Sequence, residues 1–193
     1  MGEHLSKGLL RPAPVRELLV DLKDLCELTI DLAYSSYLFH SPDLAQEVLE
    51  LEEHAGDLLL GLEVSLMLAA RSPEDATALV PISRAANAIG RIIDAAADIA
   101  KLVIGGVGPH PAIREMFRRT SERLMRAVVE EGSEIAGSKV GSLDPWVEVI
   151  AIKRNGAWII YPEDDEVLRP GDVLIARGSP EEVGELLELA EEA

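Results

Sequence analysis

The 193-residue chain holds one cysteine, two tryptophans, three tyrosines and two phenylalanines, and it has 18 basic residues against 35 acidic ones. Each shortage excludes something. Cys26 alone cannot close an intramolecular disulfide, and it falls among apolar positions at helical spacing, so a buried core thiol in a reducing compartment is expected. A formal net charge of -17 repels a phosphate backbone over most of the surface, so nucleic acid is not expected as a partner. Long apolar runs are missing as well. The most apolar window, LLLGLEVSLMLAA at 58–70, falls short of the roughly 20 residues that span a bilayer and carries Glu63. The opening MGEHLSKGLLRPAP has no hydrophobic region followed by a small-residue cleavage site, so a cytoplasmic protein is expected. No G-x-S-x-G, Walker A or H-E-x-x-H pattern occurs, and the Gly-rich run GGVG at 105–108 follows a helical stretch rather than a strand. The chain is not expected to be an enzyme.

What is present divides the chain in two. Leu18, Leu22, Leu25 and Leu32, with Leu19, Cys26, Ile30 and Ala33, recur at helical spacing over about 15–39. Ser41 followed by Pro42 is an N-cap with proline at the first helical position, and Ser72 followed by Pro73 repeats that signal. The spacing therefore predicts three long antiparallel helices, the third containing Pro81 and ending at the GGVGPHP linker. From 111 to 131 a fourth helix is expected, bearing Arg114, Arg118, Arg119, Arg123 and Arg126 in an otherwise acidic protein. Strand signals dominate after 133. WVEVIAIKR (146–154) alternates, Asn155-Gly156 is a two-residue hairpin turn, and AWIIY (157–161) returns. Pro170-Gly171 marks a turn before DVLIARG, and SPEEVGELLELAEE (179–192) opens with an N-cap serine. The expected fold class is α+β, with a helical bundle over 1–105, a linker and connecting helix over 106–131, and a small α/β domain over 132–193.

Two sets of polar residues ask for an explanation. In GRIIDAAADIAK (90–101) Asp94 and Asp98 share one helix face amid Ile and Ala, where a like-charge pair costs a few tenths of a kcal/mol. Gln46, Glu50, Glu53 and Asp57 show the same spacing on the second helix, and Asp24, Glu27 and Asp31 line the first. Such stripes are solvated, paired with Arg91 or Lys101, or hold a cation. Carboxylates alone favour a hard ion such as Mg²⁺, or Mn²⁺ or Fe²⁺, and Glu53, Asp57, Asp94 and Asp98 are the candidate ligands. The second set is Lys153 and Arg154, which close a strand before the hairpin turn. Across a dimer axis two such pairs would face one cleft walled by Val149, Ile150 and Ile152, a shape that suits a small two-fold-symmetric anion such as a cyclic dinucleotide. The acidic EDDE run at 163–166 lies on the following loop, and simple pairing of Lys153 and Arg154 with nearby surface acids is the alternative.

The segment EIAGSKVGSLDP…VEVIAIKRNGAWIIYPEDDEVLRPGDVLIARGSPEEVGELLEL resembles the TrkA-C domain, the C-terminal regulator-of-potassium-conductance (RCK) domain, through a short strand, a G-x-x-x-G-x-L turn, VIAIKR, the hairpin and L-x-P-G-D-x-L. That resemblance implies a regulatory module of cation channels and transporters, dimeric, with a small anionic ligand between copies and a membrane transporter as partner. The helical part is similar to a single PhoU-type repeat: Glu53-His-Ala-Gly-Asp57 matches its second-helix motif, and Arg91-Ile-Ile-Asp94-Ala-Ala-Ala-Asp98-Ile-Ala most of its third. Gly90 stands where that family carries Glu, which removes one implied metal ligand. The expected function is regulation of potassium-type cation transport; the alternatives are a dimeric scaffold and a metal-binding regulator of phosphate or divalent-cation uptake.

Overall fold

The computed structural model describes residues 14–112 and 123–191. Three long helices come first: α1 (Val15–Phe39), α2 (Pro42–Ala69) and α3 (Pro73–Ile104). The start signals in the sequence work as read. Ser41 Oγ accepts from Leu44 N at 3.4 Å, and Ser72 Oγ accepts from Asp75 N at 3.1 Å with Pro73 just inside the helix. Pro81 lies within α3, which continues through it. At the far end Gly105 N donates to Lys101 O at 3.0 Å and closes the last turn.

The chain divides into two compact units, one of Met1–Tyr34 with Ala45–Gly106 and one of Ser35–Leu44 with Val107–Ala193. In the first, Leu18, Leu22, Leu25 and Leu32 of α1 are buried, the last three completely. From α2 come Val48, Leu51, Ala55 and Leu62, and from α3 Ile93, Ala96, Ala97, Ala100 and Val103. These α3 alanines thus line the packed side, where small residues let helices approach closely. Cys26 is among the buried residues, and burial pushes its thiol up from the ordinary range, which keeps it inert.

The second unit holds a four-stranded, all-antiparallel sheet of β1 (Arg123–Val128), β2 (Glu148–Arg154), β3 (Ala157–Ile160) and β4 (Val173–Gly178), in the order β1-β4-β2-β3. Helix α4 (Pro180–Glu191) packs on β1 and β4. The β2–β3 hairpin turns at Asn155 (φ 51°) and Gly156 (φ 80°), both left-handed as a two-residue turn matching strand twist requires. Gly171 (φ 86°) sits at the third position of the turn that Asp172 N closes onto Arg169 O at 3.0 Å. Ser179 and Glu182 form a reciprocal capping box, Ser179 N to Glu182 Oε2 at 2.7 Å and Glu182 N to Ser179 Oγ at 3.3 Å.

One element departs from the sequence reading. The arginine-rich helix expected over 111–131 does not extend to its last part: residues 111–112 are helical, but 123–128 form an edge strand, pairing from Arg123 with Gly178 to Val128 with Val173. Arg123 and Arg126 recur at a helical interval, and so do the buried Leu124 and Ala127, so what decides for a strand is the edge of β4, to which the backbone bonds. Strand β1 lies ahead of residue 132, and the residues just before Gly137 form turns. Arg114, Arg118 and Arg119 lie outside the described residues.

Candidate functional site

Glu53 and Asp57 on α2 and Asp94 and Asp98 on α3 are all exposed to solvent. Among the described residues no group of three or more histidine, cysteine, aspartate or glutamate side chains comes together to hold a metal. Asp98 is engaged instead by Lys101, whose ammonium lies 3.4 Å from it and 3.3 Å from Glu52 of α2. The hydrogen bond to Glu52, and then that to Asp98, holds the Lys101 ammonium above its ordinary range. On α1, Lys23 pairs with Asp24 at 2.9 Å and with Glu27 at 2.8 Å, so there too the acidic stripe is partly neutralised within the helix. Gly90 is buried, and a Cβ built on it falls 2.8 Å from Leu59 Cδ1. That position is a close contact between α2 and α3, and a glutamate there would have to displace Leu59. The donor set does not fit a carboxylate metal cluster.

The five residues expected to hold an anionic ligand separate by strand alternation. Val149 and Ile152 belong to the core cluster shared with Leu174, Ala176, Val183 and Leu186, so they fill the layer under α4 and form no open wall. Ile150 sits where the β2–β4 register shifts between Val149 and Ala151, and it is buried as well. Lys153, next to Ile152, faces the opposite side of the sheet. There its cross-strand neighbour is Trp158, with the ammonium 5.7 Å from the ring centroid. The pair is half-buried.

Arg154 does something other than hold a ligand. Its Nε and Nη2 donate to the two carboxylate oxygens of Asp172 at 2.8 and 2.7 Å, its Nη1 donates to Glu166 at 2.6 Å, and Nη2 also reaches Val167 O at 2.8 Å. Asp172 is 1% exposed and takes a further bond from Arg169 N at 2.8 Å. Burial by itself raises the Asp172 carboxyl, but the hydrogen bonds from Arg154 and Arg169 more than offset it and hold the carboxyl below its ordinary range. The Arg154 guanidinium is raised, above all by its hydrogen bond to Asp172. This bracket ties the β2 end, the 163–168 loop and the Pro170-Gly171 turn together. Sequence reasoning reached part of it, by allowing Arg154 to pair with nearby acids, and missed Asp172, whose place in L-x-P-G-D marks only a turn.

Nothing in the sequence pattern points to a cavity of about 240 Å³ that lies between α4 and the 134–147 loop. Its floor is Ile135, Leu143, Val147, Leu186 and Leu189, and its rim carries Glu134, Asp144, Glu182 and Glu185.

No helix among the described residues is long and apolar enough to cross a membrane. Residues 19–103 match the PhoU domain model, and residues 124–191 match the TrkA-C domain model. No curated protein matches the chain. Among solved structures, an RCK domain with cda is 29% identical over 37% of this chain and 100% of its own, with a TM-score of 0.32. The RCK_C domain dimer of S. agalactiae BusR in complex with c-di-AMP is 24% identical over 35% of this chain and 91% of its own, with a TM-score of 0.30. BusR from S. agalactiae in complex with its busAB-promotor DNA is 16% identical over 82% of this chain and 99% of its own, with a TM-score of 0.31. The last finding corrects the expectation that nucleic acid is no partner. Net charge is a sum over the whole molecule, whereas screening limits what a phosphate senses to about 8–10 Å, so the total excludes no local contact.

Proposed function

We propose, from the premise that this chain joins a PhoU domain to a TrkA-C domain, that it regulates a potassium-type cation transport system and senses a small anionic ligand. The observation that carries the reading is the TrkA-C match over 124–191. The protein acts without catalysis, as a cytoplasmic homodimer on a membrane transporter. The ligand sits between two copies of the sheet domain. Lys153 and Trp158 supply a cation beside an aromatic face, a combination suited to a phosphate linked to a planar base. Arg154 supports that corner from behind by fixing the strand end to Asp172.

The test is a thermal-shift screen of cyclic dinucleotides, beginning with c-di-AMP, alongside mononucleotides and inorganic phosphate. Ligand at about 100 times its Kd adds roughly 2.7 kcal/mol to the folded state, a readily measured rise in Tm. Lys153→Ala and Trp158→Ala should reduce that rise while leaving the ligand-free Tm close to wild type. A screen in which no anion raises Tm at all would sink the ligand-sensing reading.

A further inference from the structure

The cavity beside α4 combines features that ligand sensing at Lys153 and Trp158 does not use. Its floor is apolar, with Ile135 4% exposed, Leu186 4% and Val147 9%. Its rim is acidic on both sides, Glu134 and Asp144 from the loop and Glu182 and Glu185 from α4. Two of these have local work: Glu182 caps its own helix and Asp144 accepts from Trp146 N at 2.9 Å. Glu134 and Glu185 stand on opposite sides of the cavity with no hydrogen bond or ion pair to another described residue. Glu181 and Glu188 continue the acidic surface of α4, and that helix contains no basic residue. Next to Val147 stands Trp146, 74% exposed, the type of side chain that anchors protein interfaces.

We infer that this cavity docks a basic amphipathic segment of a protein partner, its apolar side chains on the floor and its lysines or arginines against Glu134 and Glu185. Charge complementarity decides among occupants. Anionic lipid and nucleic acid are repelled by the rim, and a purely apolar segment leaves four carboxylates facing it without a counter-charge. A volume of about 240 Å³ takes one or two large apolar side chains, which is the footprint of one helix face rather than of a domain. This inference rests on the regulatory reading in one respect: cytoplasmic loops of membrane transporters are rich in lysine and arginine, so a transporter regulator meets this chemistry where it works.

The probe is a synthetic peptide of about four helical turns, with leucines along one face and arginines flanking them, measured by fluorescence anisotropy against the full chain. A peptide of the same charge with its leucines scattered, and one with glutamates replacing the arginines, are the comparisons. Tight binding of the first alone is expected, weakened about tenfold or more by Glu134→Gln with Glu185→Gln, and also by Trp146→Ala. The paired change Glu53→Gln with Asp57→Gln removes the same charge far along the sequence and should leave binding intact. Equal binding of the scattered peptide, or equal weakening by the Glu53 and Asp57 changes, would show attraction to bulk charge and overturn the proposal. So would a dimer that Trp146→Ala or Leu189→Ser converts to monomer while the peptide fails to bind, since a second copy then covers the cavity. Peptide binding with no thermal shift from any anion leaves docking established and the ligand-sensing reading refuted, so the two failures are told apart.

Discussion

The helical region and the sheet domain differ in the ion pairs that hold their carboxylates. On α1 to α3 the ion pairs of Lys23 with Asp24 and Glu27, and of Lys101 with Glu52 and Asp98, lie at the surface, while the interior is mostly leucine and alanine with Glu47 of α2 buried among them at 3% exposure. In the sheet domain a carboxylate is taken almost wholly out of water and held by a bidentate guanidinium. Exposed pairs contribute little, while a buried charge must keep its partner. A surface pair such as Lys101 with Asp98 and the buried Arg154–Asp172 bracket therefore weigh differently in stability, although both draw on the same acidic composition.

Removing the buried carboxylate should have the largest effect. Asp172→Ala leaves the Arg154 guanidinium and Arg169 N without their common acceptor, and unfolding in urea should show the sheet domain weakened by about 3–5 kcal/mol. A loss below about 1 kcal/mol would place the bracket with the surface pairs and erase the contrast.

Two tight glycines sharpen it further. At Gly141 an added Cβ meets Asp164 Cβ at 2.7 Å and Asp164 O at 3.1 Å, where main chain has to move, so Gly141→Ala should cost about 1–3 kcal/mol. At Gly90 the obstacle is the mobile tip of Leu59, and alanine gains roughly 1 kcal/mol of helix propensity, so Gly90→Ala should change stability by no more than about 1 kcal/mol. Melting of the two variants side by side tests the ranking.

Acid should act on Asp172 and on Asp21 with opposite sign. The Asp172 carboxyl is held below its ordinary value of about 3.9, so its contribution is complete above that pH and is lost as pH falls through the lower folded value. The Asp21 carboxyl on α1 is raised, first by burial and then by Asp24 and Glu17, so its ionisation opposes folding and the penalty is relieved as pH falls toward about 3.9. Amide exchange followed from neutral pH down to about pH 3 should show α1 protection sustained longer than that of β2 and β4, and Asp21→Asn should flatten the α1 response.

The smallest effects belong to the acidic stripes. Lys101→Met should melt with the wild type, and so should the wild type in Mn²⁺ compared with chelator. A clear metal-dependent rise in Tm that Asp94→Asn abolishes would mean that the carboxylates gather in a way the helices do not display.

Much of this architecture was legible because local rules carry it. Ser41, Ser72 and Ser179 announce helix starts, Asn155-Gly156 and Pro170-Gly171 announce turns, and leucine spacing picks out the buried face of α1, all within a few residues of chain. The candidate sites were less legible. Lys153 and Arg154 are adjacent in sequence, yet alternation along β2 sends them to opposite faces, one beside Trp158 and the other into a bracket with Asp172.

The sequence by itself determined the α+β class, the caps, the hairpin and the two families to which its halves are similar. Those are properties of short segments whose backbone preferences and apolar periods need no distant partner. Tertiary structure alone decided that residues 123–128 are a strand, since an edge strand exists only where β4 presents its unpaired backbone groups. It alone decided that Arg154 belongs to Asp172, because hydrogen bonds between residues so far apart in sequence depend on where the fold brings the β4 turn. It also brought Glu134 and Glu185 to the lining of one cavity with an apolar floor, an arrangement that no spacing along the chain encodes.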